Sequence, residues 1–92
     1  MLVPLSLGSY SNITGTTAVT TKPAILTGFY VNSTTSGTLV FKDGGASGTV
    51  VSGTITPAIG WHFFPVSFPT SIHVTVANTI DVTLIYNTTP TS

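Results

Sequence analysis

An alternating run of apolar and polar residues late in the chain constrains its fold more than any other feature. Between residues 72 and 86 the apolar side chains occupy every second position, with a short break at residues 77–79. A period of two predicts β-strands with one apolar face, because successive side chains in a strand point to opposite sides of the sheet. The break contains Asn78, a residue type that tolerates the left-handed backbone of tight turns. The pattern therefore predicts a hairpin of two strands at the centre of a sheet.

Similar patterns predict further strands upstream. Residues 24–32 are predicted to form a strand, with Ile25, Phe29 and Val31 on one face and Leu26 and Tyr30 on the other. A polar loop at residues 33–37 leads to a strand at residues 38–42. The run Asp43-Gly44-Gly45 predicts a hairpin turn, since Gly permits positive φ, and residues 48–55 return from it. An aromatic-rich segment at residues 61–68 then leads into the last hairpin.

About seven short strands with closely spaced turns predict an all-β fold, either an antiparallel β-sandwich or a small β-barrel, of jelly-roll or immunoglobulin-like type. No segment has the period of a helix, and the abundant Thr, Val, Gly and Pro disfavour helices. The 92 residues are enough for one domain. Within it, we expect residues 1–23 to form an N-terminal arm and edge strand, and residues 24–92 to form the core.

The near absence of charge limits the possible partners. Charged residues make up 4% of the chain, against roughly 25% in ordinary soluble domains. The four are Lys22, Lys42, Asp43 and Asp81, with a formal net charge of zero. Nucleic-acid binding is not expected, since it requires a basic surface. Low charge also removes electrostatic repulsion between copies, so the composition predicts a subunit that associates with itself, as a homo-oligomer.

The sequence predicts no catalytic, cofactor or metal site. His62, His73, Asp43 and Asp81 are the only candidates for a site of two His and one carboxylate, and no spacing typical of metal ligands joins them. We expect His73 on the polar face of its strand and His62 at the end of an aromatic loop. Cys is absent, and no Gly-x-Ser-x-Gly motif or phosphate-binding loop is present. The chain also shows no signal-peptide pattern and no apolar run of about 20 residues, so neither secretion nor membrane insertion is expected.

Two groups of apolar residues are candidate contact sites. Trp61, Phe63 and Phe64 could anchor a protein interface or stack on a sugar if they are exposed. In the alternative interpretation, either Trp61 and Phe63 or His62 and Phe64 fill the core, and we expect at least half of these side chains to do so. The second group is the apolar arm at residues 1–7. The predicted contact residues are Met1, Leu2, Val3, Leu5, Trp61, Phe63 and Phe64.

Several runs across residues 24–86 together resemble a known family. They are Gly28-Phe29-Tyr30-Val31, Gly37-Thr38-Leu39-Val40-Phe41-Lys42-Asp43-Gly44, Pro57-Ala58, Pro65, Phe68-Pro69-Thr70-Ser71-Ile72-His73-Val74-Thr75-Val76 and Asp81-Val82-Thr83-Leu84-Ile85-Tyr86. This pattern is similar to small virion proteins of tailed bacteriophages, which serve as capsid decoration (cement) proteins or as head or tail accessory subunits. The chain departs from it at Ser71, where many such proteins have Gly.

The resemblance implies a location on the virion, at the capsid surface, in many symmetric copies that are commonly trimeric. It implies two partners, the major capsid protein and further copies of the chain. The leading expectation is a decoration protein that bridges major capsid subunits through its arm and loops. The alternatives are a tail or head-vertex accessory subunit, or a glycan-binding module that uses Trp61 with a nearby Asn or His62.

Overall fold

Two long strands run through the molecule and organise all the others. The computed structural model describes residues 9–88. Its strands are β1 (Ser9–Ile13), β2 (Thr17–Ala18), β3 (Ala24–Asp43), β4 (Thr49–Val50), β5 (Gly60–Phe68) and β6 (Ile72–Thr88). The 20 residues of β3 pair antiparallel with the 17 residues of β6 along nearly their whole length. Both sequences are rich in Val, Ile, Thr and aromatic residues, which suit a pleated surface.

The four shorter strands widen this ribbon on both sides. β1 and β2 pair with successive parts of β6, and β5 and β4 pair with successive parts of β3. We call β1 and β5, with residues 24–31 and 82–88, the first half-sheet. We call β2 and β4, with residues 38–43 and 72–77, the second half-sheet. The described residues thus form one antiparallel sheet of six strands, which is not closed into a barrel.

The sheet is folded across its middle, so that the two half-sheets pack face to face. Phe29 and Phe41 are twelve residues apart on β3, a separation of about 40 Å along a straight strand. Their ring centroids are nevertheless 5.5 Å apart. Phe64 packs against both rings, with its centroid 6.3 Å from Phe29 and 5.4 Å from Phe41. The buried core is made of side chains from both half-sheets and of Ile80, which lies between them on β6. Its members are Ile13, Ala24, Leu26, Phe29, Val31, Leu39, Phe41, Phe68, Ile72, Val74, Ile80, Val82 and Leu84.

The bend is made by one residue with left-handed backbone on each long strand. Ser36 of β3 has φ 57° and Asn78 of β6 has φ 62°. The Asn78 side-chain amide donates a 2.8 Å hydrogen bond to the Ser36 carbonyl, which ties the two strands together at this point. The next residue, Gly37, is buried, and a Cβ there would collide with Ile80. Gly37 thus allows the close approach of the two strands at the bend, and Asn78 stabilises the bend through its left-handed backbone and its hydrogen bond.

The prediction of an all-β, antiparallel chain is confirmed, but its division into strands is partly wrong. Asn78 does not close a hairpin, because the strands on its two sides are one continuous strand. Residues 33–37 likewise belong to β3 and are not a loop. The described residues form six strands and not about seven, and the barrel alternative is wrong because the sheet stays open.

The hairpin predicted at Asp43-Gly44-Gly45 is confirmed, since β3 pairs antiparallel with β4 beyond two Gly of positive φ. The return segment is more irregular than the predicted strand at residues 48–55. Only Thr49–Val50 is a strand, and Ile55 adds an isolated bridge to Leu39.

A β-bulge changes the faces predicted for β3. Leu26 is opposite Val66 and Gly28 is opposite Phe63, so Phe64 and Pro65 together face Thr27. Pro lacks a backbone N–H and suits such a bulge. Because of the irregularity, Leu26 points inward together with Phe29 and Val31, whereas Ile25 and Tyr30 are exposed. The predicted grouping of Ile25 with Phe29 and Val31 is therefore wrong.

Two further expectations concern the ends of the chain and membrane insertion. The arm at residues 1–7, with its predicted contact residues Met1, Leu2, Val3 and Leu5, lies outside the described residues. Of the expected edge strand, β1 and β2 are described, and both lie along β6. Residues 9–88 contain no helix long and apolar enough to cross a membrane.

Candidate functional site

The aromatic residues of β5 are divided between its two faces. His62 and Phe64 point inward, and the His62 ring stacks on Phe29 at a centroid distance of 5.1 Å. Trp61 and Phe63 point outward and are 46% and 71% exposed. Of the two sets that the sequence left open, His62 and Phe64 thus fill the interior. Of the three predicted contact residues on β5, Trp61 and Phe63 are available to a partner, and Phe64 packs against the core.

The outer face of the first half-sheet brings together aromatic residues from three strands. Residues directly opposite each other on neighbouring strands project from the same side of a sheet. One row across the sheet is Tyr10, Ile85, Gly28 and Phe63, and the next is Asn12, Thr83, Tyr30 and Trp61. We call the four exposed aromatic residues of these rows, Tyr10, Tyr30, Trp61 and Phe63, the aromatic face.

The indole of Trp61 lies against the sheet, directly over Gly28. A Cβ at Gly28 would lie 2.8 Å from Cζ2 and 2.9 Å from Cη2 of Trp61. The ring therefore occupies the space that any other side chain at position 28 would need. The lack of a side chain at Gly28 gives Trp61 a defined position beside Tyr30, its direct neighbour on β3.

The aromatic face is as extensive as the largest apolar patch of a typical monomeric protein. Tyr10 and Phe63 are 73% and 71% exposed, and Tyr30 and Trp61 are each 46% exposed. With about 150–250 Å² for each such side chain, on the order of 500 Å² of aromatic surface is open to solvent. The largest apolar patch on a typical monomer is about 300–600 Å², and such patches are often functional. No Lys or Arg lies in the two rows.

A polar cluster borders the aromatic face on its side nearest the bend. It consists of Asn12, Asn32, Asp81 and Thr83. The Asp81 Oδ1 atom accepts hydrogen bonds from the Asn12 amide at 2.7 Å and from the Asn32 amide at 3.1 Å. Both amides also donate to the Thr83 hydroxyl oxygen at 3.1 Å. One carboxylate is thus held on the surface by two amides that come from different strands.

Sequence reasoning did not assign Tyr10 and Tyr30 to this surface. Tyr10 was not singled out within the N-terminal arm and edge strand predicted at residues 1–23, and it lies on β1, opposite Ile85. Tyr30 was grouped with Leu26, whereas the bulge puts these two residues on opposite faces. The separation of Trp61 and Phe63 from His62 and Phe64 did have a signal. The outward set continues with Pro65 and Ser67, and the inward set with Val66 and Phe68.

The two His residues have different surroundings. The His62 Nε2 atom forms a 2.7 Å hydrogen bond with the backbone carbonyl oxygen of Ala58. His73 is buried, and its Nε2 atom has no hydrogen-bond partner. The strand pairing places His73 on the same face as Lys42 and Thr75, the polar face expected for it, but the side chain is buried there. Within residues 9–88, no three His, Asp or Glu side chains come together as a metal site, and no pocket is found.

Two of the charged residues have structural roles near the second half-sheet. The Asp43 carboxylate accepts hydrogen bonds from the backbone N–H groups of Thr70 and Ser71, at 2.9 and 3.2 Å. It thereby fixes the turn that leads into β6. The Lys42 ammonium donates to the Ala46 carbonyl at 3.1 Å, within the turn between β3 and β4. Neither residue belongs to the aromatic face.

Comparison with known proteins adds no assignment. No protein-family model, no curated protein sequence and no solved structure matches this chain. The likeness to phage virion proteins therefore stays a prediction from the sequence runs given above. The candidate site is the aromatic face with its adjoining polar cluster.

Proposed function

We propose that this chain is a structural subunit of a bacteriophage virion, and that it acts as a capsid decoration protein bridging major capsid subunits. The observation that carries the proposal is the aromatic face. Aromatic residues are enriched at the buried centres of protein interfaces, where their large and rigid side chains lose little conformational entropy. The sequence runs that resemble phage virion proteins support a bacteriophage particle as the assembly.

The distribution of charge supports an assembly role. The aromatic face contains no ionised group, and its one charged neighbour, Asp81, is held by two amides. A contact there desolvates few charges. Bridging would act through buried area, because a standard interface buries about 1,600 Å² and simultaneous contacts strengthen each other through effective concentration. In this role no enzymatic activity or cofactor is required.

The folded sheet also suits a rigid spacer between larger subunits. Packing between the half-sheets fixes the outer face of the first half-sheet relative to the edges of the second. A partner then meets a preformed surface and pays little ordering entropy. The two packed layers favour a sandwich-like classification, and the jelly-roll or immunoglobulin-like subtype remains part of the proposal.

Copy number on purified particles tests the proposed location. We expect this chain in near-stoichiometric ratio to the major capsid protein by quantitative mass spectrometry. A handful of copies per particle would instead indicate the tail or a head vertex, which is the alternative accessory role. Complete absence from particles would overturn the virion assignment.

Binding to stripped capsids tests the contact residues. We expect the double substitution Trp61→Ser and Phe63→Ser to lower occupancy at least tenfold, since each removes an exposed aromatic anchor. Val40→Ser, on the outer side of the second half-sheet, is the matched control and should leave occupancy unchanged. Deletion of residues 1–7 should also weaken capture. Unchanged occupancy after that deletion would discard the arm as a contact.

The polar cluster favours glycan binding as the second candidate function. Sugars stack their C–H faces on aromatic rings and bond their hydroxyls to amides and carboxylates. Trp61 and Tyr30 lie in the same row as Asn12 and Thr83, next to Asp81, so both kinds of group are adjacent. His62 faces the interior and would not take part. This function predicts a shift in Trp61 fluorescence with a bound sugar, and a flat response across a glycan array would contradict it.

A further inference from the structure

The outer edge of β5 is an open strand edge without charge. β5 is nine residues long and, among the described strands, pairs only with β3. Its sequence, residues 60–68, contains no Lys, Arg, Asp or Glu. Proteins commonly protect such edges with charged side chains, Pro or bulges. Here the protection is confined to one end, where Phe64 and Pro65 form the bulge.

The structure shows which backbone groups face outward along this edge. A Cβ at Gly28 would collide with the backbone carbonyl oxygen of His62, so that carbonyl points toward β3. N–H and C=O groups alternate sides from one residue to the next along a strand. The N–H and C=O groups of Trp61 and Phe63 therefore point away from β3.

We infer that a second copy of this chain pairs antiparallel along the β5 edge, about a two-fold axis at His62. In this register Trp61 lies opposite the partner subunit's Phe63. Each of these two pairs exchanges two backbone hydrogen bonds, which gives four across the edge. Pro65 and Gly60, which has φ 125°, mark the ends of the paired segment.

β5 is suited to pair with a second copy of itself, because the two-fold axis places Trp61 opposite the partner subunit's Phe63. Trp61 and Phe63 lie on the same face, two residues apart, so the two-fold axis gives two identical Trp–Phe cross-strand pairs. Aromatic cross-strand pairs contribute roughly 0.2–1 kcal/mol each. A partner strand with charged residues at these positions would have to desolvate them without any opposite charge on β5.

The expected dimer is weak, and it doubles the aromatic face. A five-residue edge contact buries less than the roughly 1,000 Å² of a stable interface, so association should depend on concentration. The two sheets would form one wider sheet, with both sets of Tyr30, Trp61 and Phe63 on the same side. The inference rests on the proposed function in that this enlarged face would be the surface offered to the capsid. The pairing itself can be measured without any particle.

Sedimentation equilibrium of the purified chain tests the pairing. We expect a monomer–dimer equilibrium that reaches mostly dimer near millimolar concentration. Phe63→Pro removes the outward N–H group and leaves the groups that bond to β3, so it should weaken dimerisation at least about tenfold, because two symmetric hydrogen bonds are lost. Phe63→Ser keeps the N–H group and should weaken it less than Phe63→Pro. A chain that stays monomeric at millimolar concentration, or that forms a trimer, would overturn the inference, as would equal effects of the two substitutions.

Disulfide formation tests the register independently. The chain has no Cys, so His62→Cys introduces a single thiol at the proposed axis. Residues opposite each other between hydrogen-bonded pairs have Cα atoms about 4.5 Å apart, which is within disulfide range. Mild oxidation should give a covalent dimer with His62→Cys and none with Ser67→Cys, its exposed control on the same strand. Circular dichroism checks that each variant is folded. A covalent dimer with Ser67→Cys and none with His62→Cys would overturn the register. A chain that dimerises as expected but does not bind capsids would contradict the proposed function alone.

Discussion

The two half-sheets have similar inner faces and very different outer faces. Inside, both contribute fully buried Leu, Val and Phe side chains to one core. Outside, the first half-sheet carries the aromatic face. The corresponding side of the second carries Val40, Lys42, His73 and Thr75, with no Trp, Tyr or Phe among them.

The inner faces stabilise the fold, whereas the outer face of the first half-sheet is available to a partner. Core side chains lose their contact with water when the sheet folds, and each large one stabilises the fold by about 1.5–3 kcal/mol. The aromatic face stays exposed in the isolated chain, so it contributes little to folding stability. The free energy gained by burying the aromatic face is therefore available on association. The second half-sheet has no equivalent surface.

The largest expected effect lies in the shared core. Phe41 belongs to the second half-sheet, is fully buried, and contacts Phe29 and Phe64 of the first. Phe41→Ala should lower the free energy of unfolding by about 3–5 kcal/mol. Urea denaturation followed by circular dichroism measures it. A loss below about 1 kcal/mol would mean that the half-sheets do not depend on each other.

A smaller effect is expected at the bend that joins the half-sheets. Asn78→Val places a β-branched residue at positive φ and removes the hydrogen bond to Ser36, so it should destabilise by about 2–3 kcal/mol. Asn78→Gly keeps the backbone conformation and loses only the hydrogen bond, at a cost of about 1 kcal/mol. Thermal unfolding of the two variants compares them directly. Equal losses would show that the left-handed backbone at this position is not required.

A third substitution affects only the second half-sheet. His73 is buried with Nε2 unpaired, and an unpaired buried polar atom costs about 1–3 kcal/mol. His73→Leu should therefore leave stability unchanged or raise it by up to about 1 kcal/mol. His73→Asn, which keeps a polar group in the same place, is the control and should destabilise. A clear loss of stability with Leu would show that the imidazole makes a contact that stabilises the fold.

The smallest expected change in stability sharpens the comparison of the outer faces. Phe63→Ser and Val40→Ser should each leave the free energy of unfolding within about 0.5 kcal/mol of the parent chain, since most surface substitutions do so. Only Phe63→Ser should also weaken dimerisation and capsid binding. Chemical denaturation and sedimentation, measured on the same samples, separate the two effects. Equal binding losses for both variants would remove the distinction between the half-sheets.

Local sequence predicted the strands well and their continuity poorly. The alternation around Phe29, Phe41, Val74 and Leu84 predicts extended structure, and all four residues lie on strands. A polar break with Asn78 can close a hairpin or bend one long strand, because both need the same left-handed residue. Only the pairing of β6 with β3, tens of residues away in sequence, decides between the two.

The candidate site was also predictable only in part, because some of its residues are brought together by pairing between strands that are distant in sequence. Trp61 and Phe63 were expected as contact residues, and the Pro65 and Ser67 that follow them could have marked their face as the outer one. The contribution of Tyr30 depends on a bulge between β3 and β5 that no local pattern reveals. Tyr10 joins the site only because β1 pairs with the end of β6.

The position of β6 has a consequence for the order of events during synthesis. Among the described strands it comes last in sequence, yet it lies between β3 on one side and β1 and β2 on the other. While the ribosome is still adding residues 72–88, β1 and β2 have no strand to pair with, and the five core residues that β6 supplies, out of 13, are missing. Such distant pairings are slow to form. We therefore expect the sheet to form only once the whole of β6 has been synthesised, and truncations within β6 to aggregate.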